Sequence, residues 1–284
     1  MKEYMLGLYE KAMPGTLTWR EKLMYAKEAG FDFVEMSIDE TDEKLARLDS
    51  SKKDRLEIIE AMHDIGIPIR TMCLSGHRKY PIGSMDKDTR NQGLKIMGKA
   101  IQLACDLGIR IIQLAGYDVY YEKSTEETRD FFTKNLVKCV EVAAEKGVIL
   151  AFETMETEFM NTVEKSMYYV NKIQSPYLQI YPDIGNLTNA ALTYNKNVLE
   201  DIIAGKGHIV AIHLKETVSG KFREIKFGTG HVDFTKTIQA AWSLGVRKYV
   251  VEFWYVGNEN WMDELRIAKE FIADHFNQVI KDIN

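Results

Sequence analysis

The chain has 284 residues, 45% of them hydrophobic and 28% charged, which is enough for one large core and short for two ordinary domains. Its 37 basic and 42 acidic residues leave a formal charge of −5 with no lysine- or arginine-rich run, so nucleic acid is excluded as the expected partner. No stretch of about 18 uninterrupted apolar residues occurs, and MKEYMLGLYEK lacks a cleavable-signal pattern. The three cysteines (Cys73, Cys105, Cys139) form no CxxC pair; a cytoplasmic protein that does not span a membrane is expected.

Taken in chain order, short apolar, β-branched runs alternate with longer segments of helical spacing. A strand is expected at 6–9, then a helix at 18–29; a strand at 31–37 and a helix at 52–65; a strand at 69–75 and a helix at 89–107. The alternation continues with a strand at 110–116 and helix at 125–146, a strand at 148–155 and helix at 163–173, and a strand at 178–186 and helix at 198–204. It ends with a strand at 209–215 and helix at 234–244, then a strand at 248–254 and helix at 261–276. Gly30, Gly66, Gly108, Gly147 and Gly245 each stand between a helix and the next strand, where a left-handed cap is needed. Ser51 with Asp54, and Ser124 with Glu127, approach the capping-box spacing at two helix starts. Eight β–α units imply a parallel sheet with right-handed crossovers, and a count of eight favours an α/β fold of the (β/α)₈ TIM-barrel type, a single domain over residues 1–284. The open-sheet alternative needs a glycine-rich phosphate loop after the first strand, and Tyr9-Glu10-Lys11-Ala12-Met13 is not one.

In such a barrel the chemistry collects at the C-terminal ends of the strands. Polar residues fall there in nearly every unit: Glu10 and Lys11, Glu35, then Ser75-Gly76-His77-Arg78, Tyr117 and Asp118, Glu153, Asp183 with Asn186, His213 with Lys215, and Glu252 with Trp254. Glu153, Asp183, His213 and Glu252 stand apart because each interrupts an apolar strand on four consecutive units. A lone buried carboxylate costs several kcal/mol unless paired or metal-bound. Three carboxylates and an imidazole suit a divalent cation, Mn²⁺, Mg²⁺ or Co²⁺ ahead of Zn²⁺. The competing explanation is a salt-bridge network with lysines such as Lys215. His77 is either a structural or solvated histidine or a substrate contact. Trp254, Trp19 and the Tyr120-Tyr121 pair suit packing, and Cys73 suits an inert core. His63, His208 and His275 lie away from the strand ends.

GLYEKAMP, GFDFVEMSIDETDEKLARLD, MCLSGHRKYPIGS, IQLAGYDVYY, YPDIGNL and GHIVAIHLKET give the chain, from about residue 6 to about residue 271, a specific resemblance. It resembles the xylose-isomerase-like barrel superfamily and, in these strings, the L-ribulose-5-phosphate 3-epimerase family. The resemblance implies that Glu153, Asp183, His213 and Glu252 hold the metal, with Glu153 and Glu252 as the acid/base pair. It implies a small-molecule sugar phosphate as substrate, contacted by His77, Arg78, Asn186, Lys215 and Trp254. The free-ketose epimerases of the superfamily carry histidine three residues after the metal aspartate, where this chain has Asn186. An aldose–ketose isomerase on the same site is the first alternative and an apurinic-site endonuclease a weaker one. A homodimer is compatible with this reading, with no nucleic-acid or membrane partner.

Overall fold

The computed structural model of the protein describes residues 3–283. Its strands are β1 (Met5–Tyr9), β2 (Phe33–Ile38), β3 (Ile69–Leu74), β4 (Ile111–Ala115), β5 (Ile149–Glu153), β6 (Leu178–Ile180), β7 (Ile212–Leu214) and β8 (Lys248–Val251). All pairings between them are parallel, in the order β6-β5-β4-β3-β2-β1-β8-β7. The two edge strands meet through the bridges Ile180↔Ile209 and Asp183↔His213. At that seam Val210 N–H donates to Ile180 O at 3.0 Å and His213 N–H to Pro182 O at 2.9 Å. The result is the expected TIM barrel, closed by isolated bridges where the regular ladder runs out.

Strands enclosed on both faces read as apolar runs, and β2, β4 and β7 are buried at every residue. One core lies between sheet and helices. The other fills the barrel interior with Tyr9, Phe33, Cys73, Ile111, Ala151, Tyr181, Ala211 and Val250. Gly7 is needed for that filling: a Cβ there would stand 2.4 Å from the Phe33 ring.

The outer helices are α1 (Trp19–Glu28), α2 (Asp42–Ala46), α3 (Lys52–Ile65), α4 (Lys87–Leu107), α5 (Glu126–Lys146), α6 (Val163–Ile173), α7 (Ile184–Tyr194), α8 (Val198–Ala204), α9 (Phe234–Ser243) and α10 (Trp261–Ile283). The five punctuating glycines, Gly30, Gly66, Gly108, Gly147 and Gly245, all have φ between +65° and +86°. Ser51 and Asp54 form the expected capping box, whereas the start of α5 shifts by one residue: Thr125 caps it with Thr128, not Ser124 with Glu127. The larger correction is at 178–186. The strand stops at Ile180 and Asp183 becomes the N-cap of α7, accepting the Asn186 N–H at 2.8 Å. Pro182 has no N–H for a ladder and Asp is a preferred N-cap, so the local chemistry turns the chain into a helix that the apolar run alone concealed. None of the described helices is long and apolar enough to cross a membrane, and Cys73, Cys105 and Cys139 are free thiols.

Glu10 ties the barrel mouth to its helices. It follows β1, is fully buried, and accepts from Lys22 Nζ at 2.8 Å, from Ser37 N–H at 2.9 Å and from Arg47, with Lys44 Nζ at 3.5 Å. Burial alone would raise its carboxyl, but Lys22, Arg47 and Lys44 outweigh it and bring it down to about 2. A carboxyl whose folded value lies below its unfolded one, near 4.3, stabilises the fold fully above that value, and the contribution is lost as pH falls toward the folded one. Glu10→Gln leaves three cations around a neutral amide and is expected to cost about 3–5 kcal/mol at neutral pH. In denaturant titrations the gap between wild type and variant should close as pH falls from about 4 to about 2; a gap independent of pH would contradict this account.

Candidate metal centre and active-site cleft

Four consecutive units deliver the four expected ligands to one point. Glu153 is the last residue of β5, Asp183 the N-cap of α7, His213 the middle of β7, and Glu252 the residue after β8. All are at least 95% buried, and one potential ligand atom from each lies within 4.8 Å of the others. The carboxylates gather on one side of the imidazole: His213 Nδ1 is 3.2 Å from Glu252 Oε2, 3.7 Å from Glu153 Oε1 and 4.0 Å from Asp183 Oδ2. Lys215 Nζ stands 2.9 Å from Asp183 Oδ2 and 3.4 Å from Glu252 Oε2.

Burial and like charges are in conflict here. Burial raises the Glu153 carboxyl, aided by Glu252 although His213 and Lys215 pull the other way. Burial, with Glu252 and Glu153 against Lys215, pushes Asp183 up to about 7. For Glu252 burial is outweighed by Lys215 and His213, which hold it well below the usual carboxylate range. Lys215 thus supplies part of the network weighed as the competing explanation, but it does not satisfy it. Although Lys215 is close, Asp183 Oδ2 and Glu252 Oε2 are buried with no hydrogen bond of acceptable geometry. Two buried oxygens without a well-formed hydrogen bond, on converging carboxylates beside an imidazole nitrogen, could hold a divalent cation, and the residue types fit one.

Behind the imidazole lies a second layer. Glu35, expected at a strand end, instead points inward from the middle of β2 and is fully buried. Its Oε1 is 2.5 Å from His213 Nε2, and its Oε2 accepts from Thr71 Oγ1 at 2.6 Å and Tyr181 OH at 2.9 Å. Gln113 Nε2 lies 3.2 and 3.3 Å from the two ring nitrogens. The only signal in the sequence is a glutamate within FVEMSI.

A cleft opens above the four residues. Arg78, Asn186, Lys215 and Trp254 line it, as do Lys11 and Arg223. Thr154, next to Glu153, holds the adjoining turn: its Oγ1 accepts Asp183 N–H at 3.0 Å, and its carbonyl accepts Asn186 Nδ2 at 2.7 Å. Asn186 Oδ1 is left buried without a donor. Arg78 reaches Tyr117 OH at 3.3 Å and lies 4.8 Å from the Tyr120 ring centre, with its Nε buried and unpartnered.

His77 goes elsewhere. Its ring is buried with Nε2 3.1 Å from Gly93 O, and burial brings its pKa down to about 4, so it is neutral near pH 7 and brings no charge to a phosphate. Cys73, expected as core, also forms part of the cleft wall. Arg223, which sequence reasoning passed over, comes from the loop at 215–233. Buried Glu216 organises that loop by accepting N–H donors from Gly228 at 3.0 Å and Val232 at 3.2 Å. Arg223 lies 5.4 Å from the Trp254 ring centre. Nothing in the local sequence distinguishes it from a solvated loop arginine.

Comparison with known proteins agrees with this architecture. Residues 23–275 match the family model described as xylose isomerase-like TIM barrel. The chain is 45% identical over 272 residues to L-ribulose-5-phosphate 3-epimerase UlaE of Salmonella heidelberg (strain SL476), covering 95% of this chain and 94% of the relative. The same figures hold for L-ribulose-5-phosphate 3-epimerase UlaE of Escherichia coli (strain ATCC 8739). Among solved structures, an L-ribulose 3-epimerase is 20% identical with a TM-score of 0.78, over 98% of this chain and 96% of that one. A D-psicose 3-epimerase with D-tagatose from Clostridium cellulolyticum H10 is 15% identical with a TM-score of 0.80, over 95% and 98%. These structures share the fold; the sequence relatives fix the placement within it. The chain belongs to the xylose isomerase-like TIM barrel family and, within it, to the L-ribulose-5-phosphate 3-epimerases.

Proposed function

We propose that the protein is an isomerase that interconverts L-ribulose 5-phosphate and L-xylulose 5-phosphate by inverting carbon 3. The observation that carries the reading is 45% identity over 95% of the chain to L-ribulose-5-phosphate 3-epimerases, in a chain whose Glu153, Asp183, His213 and Glu252 converge in one buried cluster. Those four residues would hold a divalent cation, Mn²⁺, Mg²⁺ or Co²⁺ ahead of Zn²⁺. When bound, such a cation would supply a Lewis acid for the negative charge that develops as the proton leaves.

Inversion removes the C3 proton, acidic because it lies next to the C2 carbonyl, and returns a proton to the opposite face of the flattened carbon. One base is needed on each face. Glu153 ends β5 and Glu252 follows β8, so the two carboxylates enter the cleft from strands three places apart around the barrel. Their surroundings push them in opposite directions: Glu153 upward and Glu252 downward, next to Lys215 and His213. Their entry from separate strands suits a pair in which one group takes a proton while the other gives one. Asn186 Oδ1, buried and without a donor, accepts a sugar hydroxyl. Trp254 closes one wall. Arg78, with its unpartnered Nε, is the donor for the phosphate, supported by Lys215 deeper in the cleft.

Two sets of measurements test this. Glu153→Gln and Glu252→Gln should each lower kcat by about 10²- to 10⁴-fold. Proton NMR in D₂O should show deuterium entering C3 with wild type, net epimerisation lost in both variants, and single-face exchange surviving from one epimer only in each. Removal of metal by chelation should abolish exchange, and added Mn²⁺, Mg²⁺ or Co²⁺ should restore it; exchange at C1 would identify an aldose–ketose isomerase instead. Arg78→Gln should raise KM for the pentulose phosphate by roughly 10- to 100-fold, the worth of a charge-assisted hydrogen bond. Its kcat/KM for the unphosphorylated pentulose should stay unchanged, and an equal loss on both sugars would remove Arg78 from the phosphate site.

A further inference from the structure

We propose that Glu35 is the positioning residue of this site: it takes the Nε2–H of His213 and thereby fixes the imidazole with Nδ1 turned toward the three carboxylates. The inference rests on the metal reading above and extends it to a residue that touches neither metal nor substrate.

An imidazole has two nitrogens, and which one carries the proton is decided by its neighbours. Here they decide it unequally. Nε2 faces a single acceptor, Glu35 Oε1 at 2.5 Å, while Nδ1 faces Glu252, Glu153 and Asp183 at 3.2 to 4.0 Å. Gln113 does not break the tie, because its amide nitrogen is 3.2 Å from one ring nitrogen and 3.3 Å from the other. Glu35 cannot swing away. Thr71 Oγ1 and Tyr181 OH both donate to its Oε2, at 2.6 and 2.9 Å, leaving Oε1 for the imidazole. The Tyr181 ring also packs edge-on against His213, with centroids 5.0 Å apart.

A fully buried glutamate in an apolar barrel costs several kcal/mol unless its partners compensate. A ring that needed only orienting would be served by a neutral acceptor. A carboxyl oxygen as partner does more: by accepting the Nε2–H it makes Nδ1 a stronger donor to a cation, and loss of such outer partners typically weakens metal binding 10- to 100-fold.

The test is Mn²⁺ titration of the full chain, followed by electron paramagnetic resonance of the free ion, for wild type and Glu35→Gln. The variant keeps size and an oxygen acceptor, and the Thr71 and Tyr181 hydroxyls can turn to accept from its amide. Glu35→Gln should bind Mn²⁺ about 10- to 100-fold more weakly, and Tyr181→Phe, which leaves Glu35 in place, should weaken binding by a smaller factor. In Zn²⁺-loaded, ¹⁵N-histidine-labelled protein, the proton of His213 should sit on Nε2 and resonate far downfield, and it should move upfield in Glu35→Gln. That resonance reports the hydrogen bond itself and not general stability. Mn²⁺ affinity within about two-fold of wild type in Glu35→Gln, against the loss expected for an outer partner, would overturn the proposal and leave the metal site standing. A proton found on Nδ1 would do the same. No Mn²⁺ binding by wild type would overturn both. If Glu35→Gln does not fold, the Tyr181→Phe titration decides, and an unchanged affinity there counts against the proposal.

Discussion

The structure turns on the repulsion among carboxylates buried at the seam of the barrel. Glu35, Glu153, Asp183 and Glu252 surround one imidazole and one ammonium, all at most 5% exposed. Four acids around one ammonium and one imidazole in a low-dielectric interior is a poor arrangement for stability alone. It is placed where the sheet is thinnest, since β6 and β7 are three residues long and meet through the Asp183↔His213 bridge. The same two residues close the barrel and face the cluster, so a cation bound there would also hold the seam. Binding to the native state alone raises its stability by mass action. Closure and ligation are therefore one problem at this point of the fold.

Glu10 is the instructive contrast. It is as buried as the four acids of the site, yet three cations and a backbone N–H converge on it and pull its carboxyl down to about 2. That charge is fully met from within the chain, and nothing further is called for. At the seam the partners run short: burial and the neighbouring acids push the Asp183 carboxyl up, and Lys215, though close, leaves Asp183 Oδ2 and Glu252 Oε2 without a hydrogen bond of acceptable geometry. Satisfaction of the buried charge, and not burial itself, separates a strut from a site.

The sequence carried this distinction only in part. Periodicity and the five left-handed glycines were enough for eight β–α units, because those signals are local. The four converging residues were legible because each is a polar residue within an apolar run in four consecutive β–α units. Asp183 shows where local reading failed: YPDIGN looks like the end of a strand, but a proline without an N–H and an aspartate that caps turn it into the start of α7. His77 stayed open between a structural and a substrate role for a related reason, since a histidine at a strand end says nothing of the Gly93 carbonyl that holds its ring. Glu35 was out of reach altogether. Its partner lies 178 residues away, and only closure of the barrel brings the two side chains together.

The distribution of charge along the cleft also sets the direction in which an anionic substrate enters. The acids are deepest, at 0 to 5% exposure, whereas the side chains of Arg78 and Lys11 are 13% and 25% exposed and Arg223 is exposed to solvent. A phosphate is repelled from the floor and attracted to the rim, where interactions between charges are also less weakened by desolvation cost. For the proposed pentulose phosphate, a floor of buried acids favours the phosphorylated carbon outward and the C2–C3 unit inward, with Arg78, Lys11 and Arg223 at the rim offsetting the Asp39, Glu40 and Glu156 carboxylates beside them. An unphosphorylated sugar feels no such gradient and has to be oriented by hydrogen bonds to its hydroxyls. Asn186, whose Nδ2 is held by the Thr154 carbonyl and whose Oδ1 is buried without a partner, is consistent with that division: with the anion fixing the long axis, a neutral amide is enough to seat a hydroxyl.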